Sequence, residues 1–175
     1  EIVCEAGVTK PSLYRAFKSK DDLVAACLLE SAEEGRTAVE AAVAAAGPCP
    51  RDRLRAIIAH FAGKIGCPEF RGCLISNVAV ELPDASHPGR IILQNCKTDL
   101  RAMMVEICRE LPVEEPEALA DGLLLVIEGA MATHHIFGKQ GPALAITRTC
   151  EQLIAGNLPV EWHWKETQLA NWQRG

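Results

Sequence analysis

The chain has 175 residues, 49% of them hydrophobic and 23% charged, with a formal net charge of −5. That is enough apolar material for one large domain or two small ones, and the acidic balance excludes a generally basic coat for nucleic acid. No run of about eighteen apolar residues occurs, so no membrane span is expected, and the start carries no signal-peptide pattern.

The charge is unevenly spread. Residues 1–20 hold Lys10, Arg15, Lys18 and Lys20 against Glu1 and Glu5, a local balance of +2 that leaves −7 for the remainder. Glu1 to Ala6 suits the last turns of a helix, and Gly7 suits the left-handed turn that ends one. Thr9 then reads as the N-cap of a short helix with Pro11 in its first turn, where a missing N–H costs nothing. Leu13 and Phe17, four residues apart, form an apolar back. Lys10, Pro11, Tyr14, Arg15 and Lys18 form a basic, aromatic front. Ser19 caps a third helix, with Asp22 as a short-armed capping-box partner. Helix, glycine turn, short helix is the helix-turn-helix arrangement, although an ordinary helical hairpin with a solvated polar face has the same periodicity.

The order of residues in the segment narrows the choice. Ala6-Gly7-Val8-Thr9-Lys10-Pro11-Ser12-Leu13-Tyr14-Arg15-Ala16-Phe17-Lys18-Ser19-Lys20-Asp21-Asp22-Leu23 closely resembles the DNA-binding signature of the tetracycline-repressor (TetR) family of bacterial transcriptional regulators. The resemblance implies an all-α fold: a helix-turn-helix head with a long connecting helix over residues 1–46, and a helical ligand-binding and dimerisation body over 47–175. It also implies that the head's first helix precedes Glu1. On the matching positions, Thr9 and Ser12 offer hydroxyls to phosphates, and Lys10 reaches a base edge or a phosphate. Tyr14 donates its phenol to a phosphate while Pro11 shapes the entry. Arg15 stands where the family often has another residue type, so base reading and backbone contact both stay open. Lys20 neutralises a phosphate near the next helix's N-terminus.

The rest of the chain reads as helices. Lys20 to about Ala46 is one long helix ended by Gly47-Pro48-Cys49-Pro50, long enough to carry a displacement from body to head. Leu54, Ile57, Ile58, Phe61 and Ile65 mark one face of the next helix, which Gly66 and Pro68 stop. Phe70 to Leu82, with its Gly72-Cys73-Leu74 opening, resembles the ligand-binding body of one large branch of the same family and reads as a short, mostly buried helix. Leu93, Cys96, Leu100, Met103, Met104, Ile107 and Leu111 mark a long helix before a loop bracketed by Pro112 and Pro116. The helix from about Glu117 to Phe137 is apolar nearly all round at Leu123-Leu124-Leu125-Val126-Ile127, which predicts burial on several sides. Ala143 to Ile154 is the last regular segment. The Trp-rich stretch Val160 to Trp172 receives no function.

The eight cysteines show no Cys-x-x-Cys pair, which disfavours zinc or a disulfide scaffold. Cys4, Cys27, Cys96, Cys108 and Cys150 read as small buried hydrophobes in a reducing cytoplasm. Cys67 and Cys73 flank a loop carrying Arg71, a setting that suits a redox- or electrophile-sensing thiolate.

By the same resemblance an effector lies among Phe61, Ile65, Val78, Met103, Met104, Ile107, Leu124 and Met131, where plain core packing is the bland alternative. Glu128 and His135, seven apart on one helical face, are polar exceptions suited to a ligand's polar group or to an internal hydrogen bond. The resemblance also implies that the last two helices pair with a second copy through Leu123, Ile127, Ala130, His134, Ile146, Cys150 and Leu153, although burial inside a single domain would produce the same apolar pattern. The partners implied are double-stranded operator DNA on a palindromic site, a small apolar or amphipathic effector, and a second copy of the chain. No metal or cofactor is expected, and no phosphate loop or nucleophile elbow marks an enzyme. The expected function is a cytoplasmic repressor released by its effector. A cysteine-based sensor on the same scaffold, a helical interaction module and an enzyme are the alternatives.

Overall fold

The computed structural model describes residues 2–67, 70–82, 84, 86–160 and 162. Among the described residues eight α-helices follow one another: α1 (Ile2–Glu5), α2 (Lys10–Ala16), α3 (Lys20–Ala45), α4 (Pro50–Gly66), α5 (Leu74–Glu81), α6 (Pro88–Arg109), α7 (Pro116–Phe137) and α8 (Ile146–Asn157). Two 3₁₀ turns, Gly138–Gln140 and Pro142–Ala145, join α7 to α8, so the last helix starts three residues later than its apolar rhythm suggests. No strand occurs among the described residues, and no helix there is long and apolar enough to cross a membrane. Trp164 and Trp172 lie outside the described residues.

The boundaries follow local chemistry. Gly7 has φ 62°, the left-handed value that a turn between α1 and α2 requires and that a Cβ would strain. Ser19 accepts a hydrogen bond from the Asp22 amide at 3.0 Å and opens α3. Proline stands in the first turn of α2, α4, α6 and α7, where its ring preorganises φ and no donor is lost.

Most of the apolar surface goes into one core between α4, α6, α7 and α8, with Val39 of α3 at its edge. Leu54, Ile57, Ile58, Met104, Leu119, Leu123, Ile127, Cys150 and Ile154 are fully enclosed there. A second, smaller cluster joins Leu28 of α3, Ile75 of α5 and Leu93 of α6. Ion pairs tie the helices at the rim. Arg55 of α4 donates to both carboxylate oxygens of Glu151 on α8, at 2.7 and 3.2 Å, and Arg109 of α6 meets Glu117 of α7 at 2.6 Å. The Arg55 guanidinium holds the Glu151 carboxyl below the usual carboxylate range.

Four expectations change. Leu123, Ile127, Ala130, Ile146 and Cys150, assigned above to a dimer interface, are buried inside the protomer, because each points from its helix toward the bundle centre. Leu125, expected to be buried on an all-round apolar helix, is 73% exposed because no other helix covers that side of α7. Helix α5 is only partly covered: Ile75 alone is buried, and Val80 stands in solvent. Cys4 and Cys27 are exposed, whereas Cys108 and Cys150 are the enclosed thiols, pushed up to about 11 by burial.

Replacing Ile127, which is wholly buried, with alanine leaves a cavity at the bundle centre and should cost about 2–5 kcal/mol of stability. Urea unfolding followed by circular dichroism checks this: the midpoint falls while the slope with denaturant stays the same.

Candidate DNA-binding head and effector cavity

The head presents α2 as a bare, polar rod. Thr9 caps it, accepting from the Ser12 amide at 3.3 Å, and its hydroxyl shares a 3.0 Å hydrogen bond with the Ser12 hydroxyl. Arg15 Nη2 donates to Ser12 Oγ at 3.2 Å, so the guanidinium is held along the helix surface. Tyr14 is 70% exposed, and Lys10, Pro11, Arg15, Lys18 and Lys20 are exposed as well. Leu13 and Phe17 turn inward and are half-buried. The exposed set therefore lies on the front that periodicity assigned to it. Three hydroxyl or phenol groups and four cations on one short surface form an anion-facing footprint suited to a phosphate backbone.

Ser19 and Lys20 join this surface directly to α3, and α3 runs into the body. At its start, Asp21 Oδ1 lies 3.5 Å from His87 Nε2, and His87 is the N-cap of α6. His87 Nδ1 accepts the Gly89 amide at 3.0 Å, which places the imidazole proton on Nε2, facing Asp21. Further along, Leu28 is inserted between α5 and α6.

Two cavities stand out in the body among the described residues. The larger, about 850 Å³, is walled mainly by α3, α4, α6 and the segment leading into α5, with Met131 of α7, and it includes Phe61, Met103 and Met131 from the expected effector set. The smaller, about 730 Å³, lies between α5, α6 and α7 and includes Leu124 and Glu128. The remaining expected effector residues lie elsewhere. Ile65, Met104 and Ile107 are buried packing residues of the main core, and Val78 packs against the Leu28 cluster. His135 is exposed, with its ring set against Gly72 so closely that a Cβ there would lie 2.6 Å from it. Gly72 has φ 88°, so the backbone favours glycine at this position, and a Cβ would also displace the His135 ring. His134, assigned to the dimer interface, makes an edge contact with Phe70 at 5.5 Å between centroids. Leu153, assigned likewise, is half-buried and faces Gly122 of α7.

Sequence reasoning missed the polar residue shared by the two cavities, whose linings also share Ile75. Lys97 of α6 lines both, and its ammonium pairs with Glu128 Oε1 and donates to Cys73 Sγ at 3.4 Å. Ser76 Oγ donates to the other Glu128 oxygen at 2.8 Å. Burial works to lower the Lys97 pKa, but the sulfur and the carboxylate outweigh it and hold the ammonium above its ordinary range. A signal was available: Leu93, Lys97, Leu100, Met104 and Ile107 follow a four-three spacing, so this lysine stands on the apolar stripe of α6. Arg71, the cation first linked to Cys73, is exposed. His60 also borders the larger cavity, and burial, reinforced by Lys64, lowers its pKa.

Comparisons with known proteins agree with this geometry. Residues 1–27 match the family model of bacterial regulatory proteins of the tetR family. A TetR-type transcriptional regulator from Streptomyces avermitilis is 31% identical, with a TM-score of 0.72 over 89% of this chain and 84% of that one. A TetR-family transcriptional regulator from Streptomyces coelicolor is 26% identical, with a TM-score of 0.84 over 90% of this chain and 83% of that one. The reduced form of NemR from E. coli, 21% identical with a TM-score of 0.73 over 87% and 83% of the two chains, shares the fold. No curated protein matches the chain. The chain belongs to the TetR family of bacterial transcriptional regulators, and its function is that of a DNA-binding regulator.

Lys20 stands exposed at the first position of α3. Lys20→Ala should weaken specific and non-specific duplex binding alike and flatten the salt dependence of affinity by about one unit of slope for each phosphate the lysine neutralises. Titrations at several salt concentrations measure this. An unchanged slope would remove Lys20 from the interface.

Proposed function

We propose that the chain is a dimeric repressor that leaves a palindromic operator when a small apolar or amphipathic effector enters the larger cavity. One observation carries the reading: a single helix, α3, holds the DNA-facing surface at one end and forms a wall of that cavity along its middle, through Ala32, Gly35 and Val39. An effector that fills the space acts on the same rigid element that sets the spacing of the two recognition helices. It shifts the equilibrium only by its difference in affinity for the DNA-bound and released arrangements. The contacts of Leu28 and Asp21 with α5 and α6 couple the two ends, so movement of the body is passed to α2 rather than dissipated in a hinge.

The dimer is proposed on an uncovered apolar stripe. Leu125, Gly129, Ala132 and Ile136 recur along α7 at helical spacing and are exposed, with Leu125 at 73% and Ile136 at 76%. Thr149, Gln152 and Gly156 are exposed on α8. Two copies of these helices would form a four-helix contact around a two-fold axis. A two-fold protein reads two half-sites roughly 34–36 Å apart, which supplies the specificity that one short α2 lacks. On this reading the protein performs no catalysis and works in the cytoplasm.

Selection by the full-length protein from a random duplex pool tests DNA recognition. A palindromic site, with affinity falling steeply as salt rises, is the expected result, and no enrichment from a folded dimer would overturn the reading. Gly35 borders the cavity, and a Cβ at this position would have no neighbouring atom within 4 Å. Gly35→Phe should therefore abolish the thermal stabilisation given by any compound that also releases the operator, and a compound whose effect survives this change binds elsewhere. Leu125→Glu combined with Ile136→Glu should convert the dimer to monomer in sedimentation runs while leaving the helical spectrum intact. A persistent dimer would place the interface on another face.

A further inference from the structure

Two features coincide in space at Cys73. Its sulfur accepts a hydrogen bond from the Lys97 ammonium at 3.4 Å, and it borders the larger cavity. Cys108 and Cys150 are enclosed, and Cys96 borders the cavity as well but burial raises its thiol, so these three are poor nucleophiles. Cys4 and Cys27 are exposed and Cys49 is half-buried, and none of the three borders the cavity. Cys67 borders the cavity but is exposed at its rim. Lys97 is itself held in place: Glu128 pairs with it, and Ser76 orients the Glu128 carboxylate at 2.8 Å. A nucleophile, a positioned proton donor and a cavity of mixed lining are thus brought together by three elements, the N-terminal cap of α5, α6 and α7.

We propose that Cys73 is a covalent sensing site for small electrophiles of the α,β-unsaturated carbonyl class, and that its alkylation lowers operator affinity. The inference rests on the effector-released reading above and specifies the chemistry of one class of effector. In the step, the Cys73 thiolate forms a C–S bond to the β-carbon of the acceptor. The carbon–carbon π pair moves onto the carbonyl as an enolate, and the enolate α-carbon takes a proton from the Lys97 ammonium. Lys97 recovers its proton from water, so the product is a neutral thioether and no oxidant is consumed. Two consequences follow from the geometry. The sulfur that accepts the Lys97 hydrogen bond becomes a bulkier thioether, which alters the Lys97–Glu128 contact between α6 and α7. The added group also occupies the cavity against α3, the helix that carries the DNA-facing surface.

The experiment treats the full-length protein with limiting methyl vinyl ketone and follows each cysteine by peptide mass mapping. Cys73 should react at least about tenfold faster than the exposed Cys27, and Lys97→Met should reduce that advantage about tenfold while Lys97→Arg retains most of it. Glu128→Gln, nearly the same in shape, gives a second variant with an intermediate rate should Lys97→Met fold poorly. A Cys73 no faster than Cys27 would overturn the site. In parallel, treated wild-type protein should lose operator affinity by about tenfold or more while treated Cys73→Ser keeps it. Equal losses in both would assign the effect to another cysteine and overturn the regulatory claim. If untreated protein selects no DNA, the regulator reading fails and the DNA half of the proposal fails with it. The labelling rates then decide the site by themselves.

Discussion

The joint made by Leu28, Ile75 and Leu93 is the contact on which the rest of the structure depends. Leu28 is 2% exposed, although it sits on a helix most of whose other residues face water. Without it, α3 would be held to the body chiefly by Val39 near its far end, and α2 would sit on a long lever with one fixed point. With it, α3 has two anchors along its length, one in each apolar cluster. Burying one leucine side chain is worth about 1.5–3 kcal/mol, a large part of what separates a coupled head from an independent one. The Asp21–His87 contact adds direction at the start of the helix rather than much stability, since Asp21 is largely in water.

The body divides its work between two kinds of surface. The core of α4, α6, α7 and α8 is filled by aliphatic residues that pack at fixed volume and tolerate little change. Between that core and α3 the packing is left open, and the lining there is mixed, with methionine and aromatic side chains beside polar ones. Such a lining suits the proposed effector site, because Met103 and Met131 can adapt their shape while the core behind them does not. The Lys97–Glu128 pair stands at the boundary between the two cavities. A half-buried ion pair adds little net stability, but its partial desolvation makes it sensitive to any change in the groups beside it. That sensitivity is useful in a receptor and wasteful in a scaffold.

The charge of the chain is divided in a way that suits a DNA-binding regulator. Lys10, Arg15, Lys18 and Lys20 collect on one end of a chain whose net charge is −5, so the rest of the surface is repelled by phosphate. Orientation on the duplex is thereby restricted before any specific contact forms. The surface cations of the body are largely neutralised by neighbours, as Arg36 is by Glu33 and Glu40 within α3.

Much of this is legible without coordinates, and the reason is locality. Gly7, Thr9, Pro11 and Ser19 act on the backbone within three residues of themselves, so the turn, the cap and the start of α3 can be read from their order. The fronts and backs of the helices follow from a 3.6-residue period, and Leu54, Ile57, Ile58 and Phe61 lie where it puts them. Tertiary structure decided everything that depends on which face meets which neighbour. Periodicity marks a residue as apolar-facing but does not say whether the opposite wall belongs to the same chain or to another, and so Leu123, Ile127 and Cys150 read as interface residues when they belong to the core. It likewise could not place Lys97 beside Cys73 and Glu128, since the three are brought together by helices far apart in the chain and only the packing of α6 between α5 and α7 makes them neighbours.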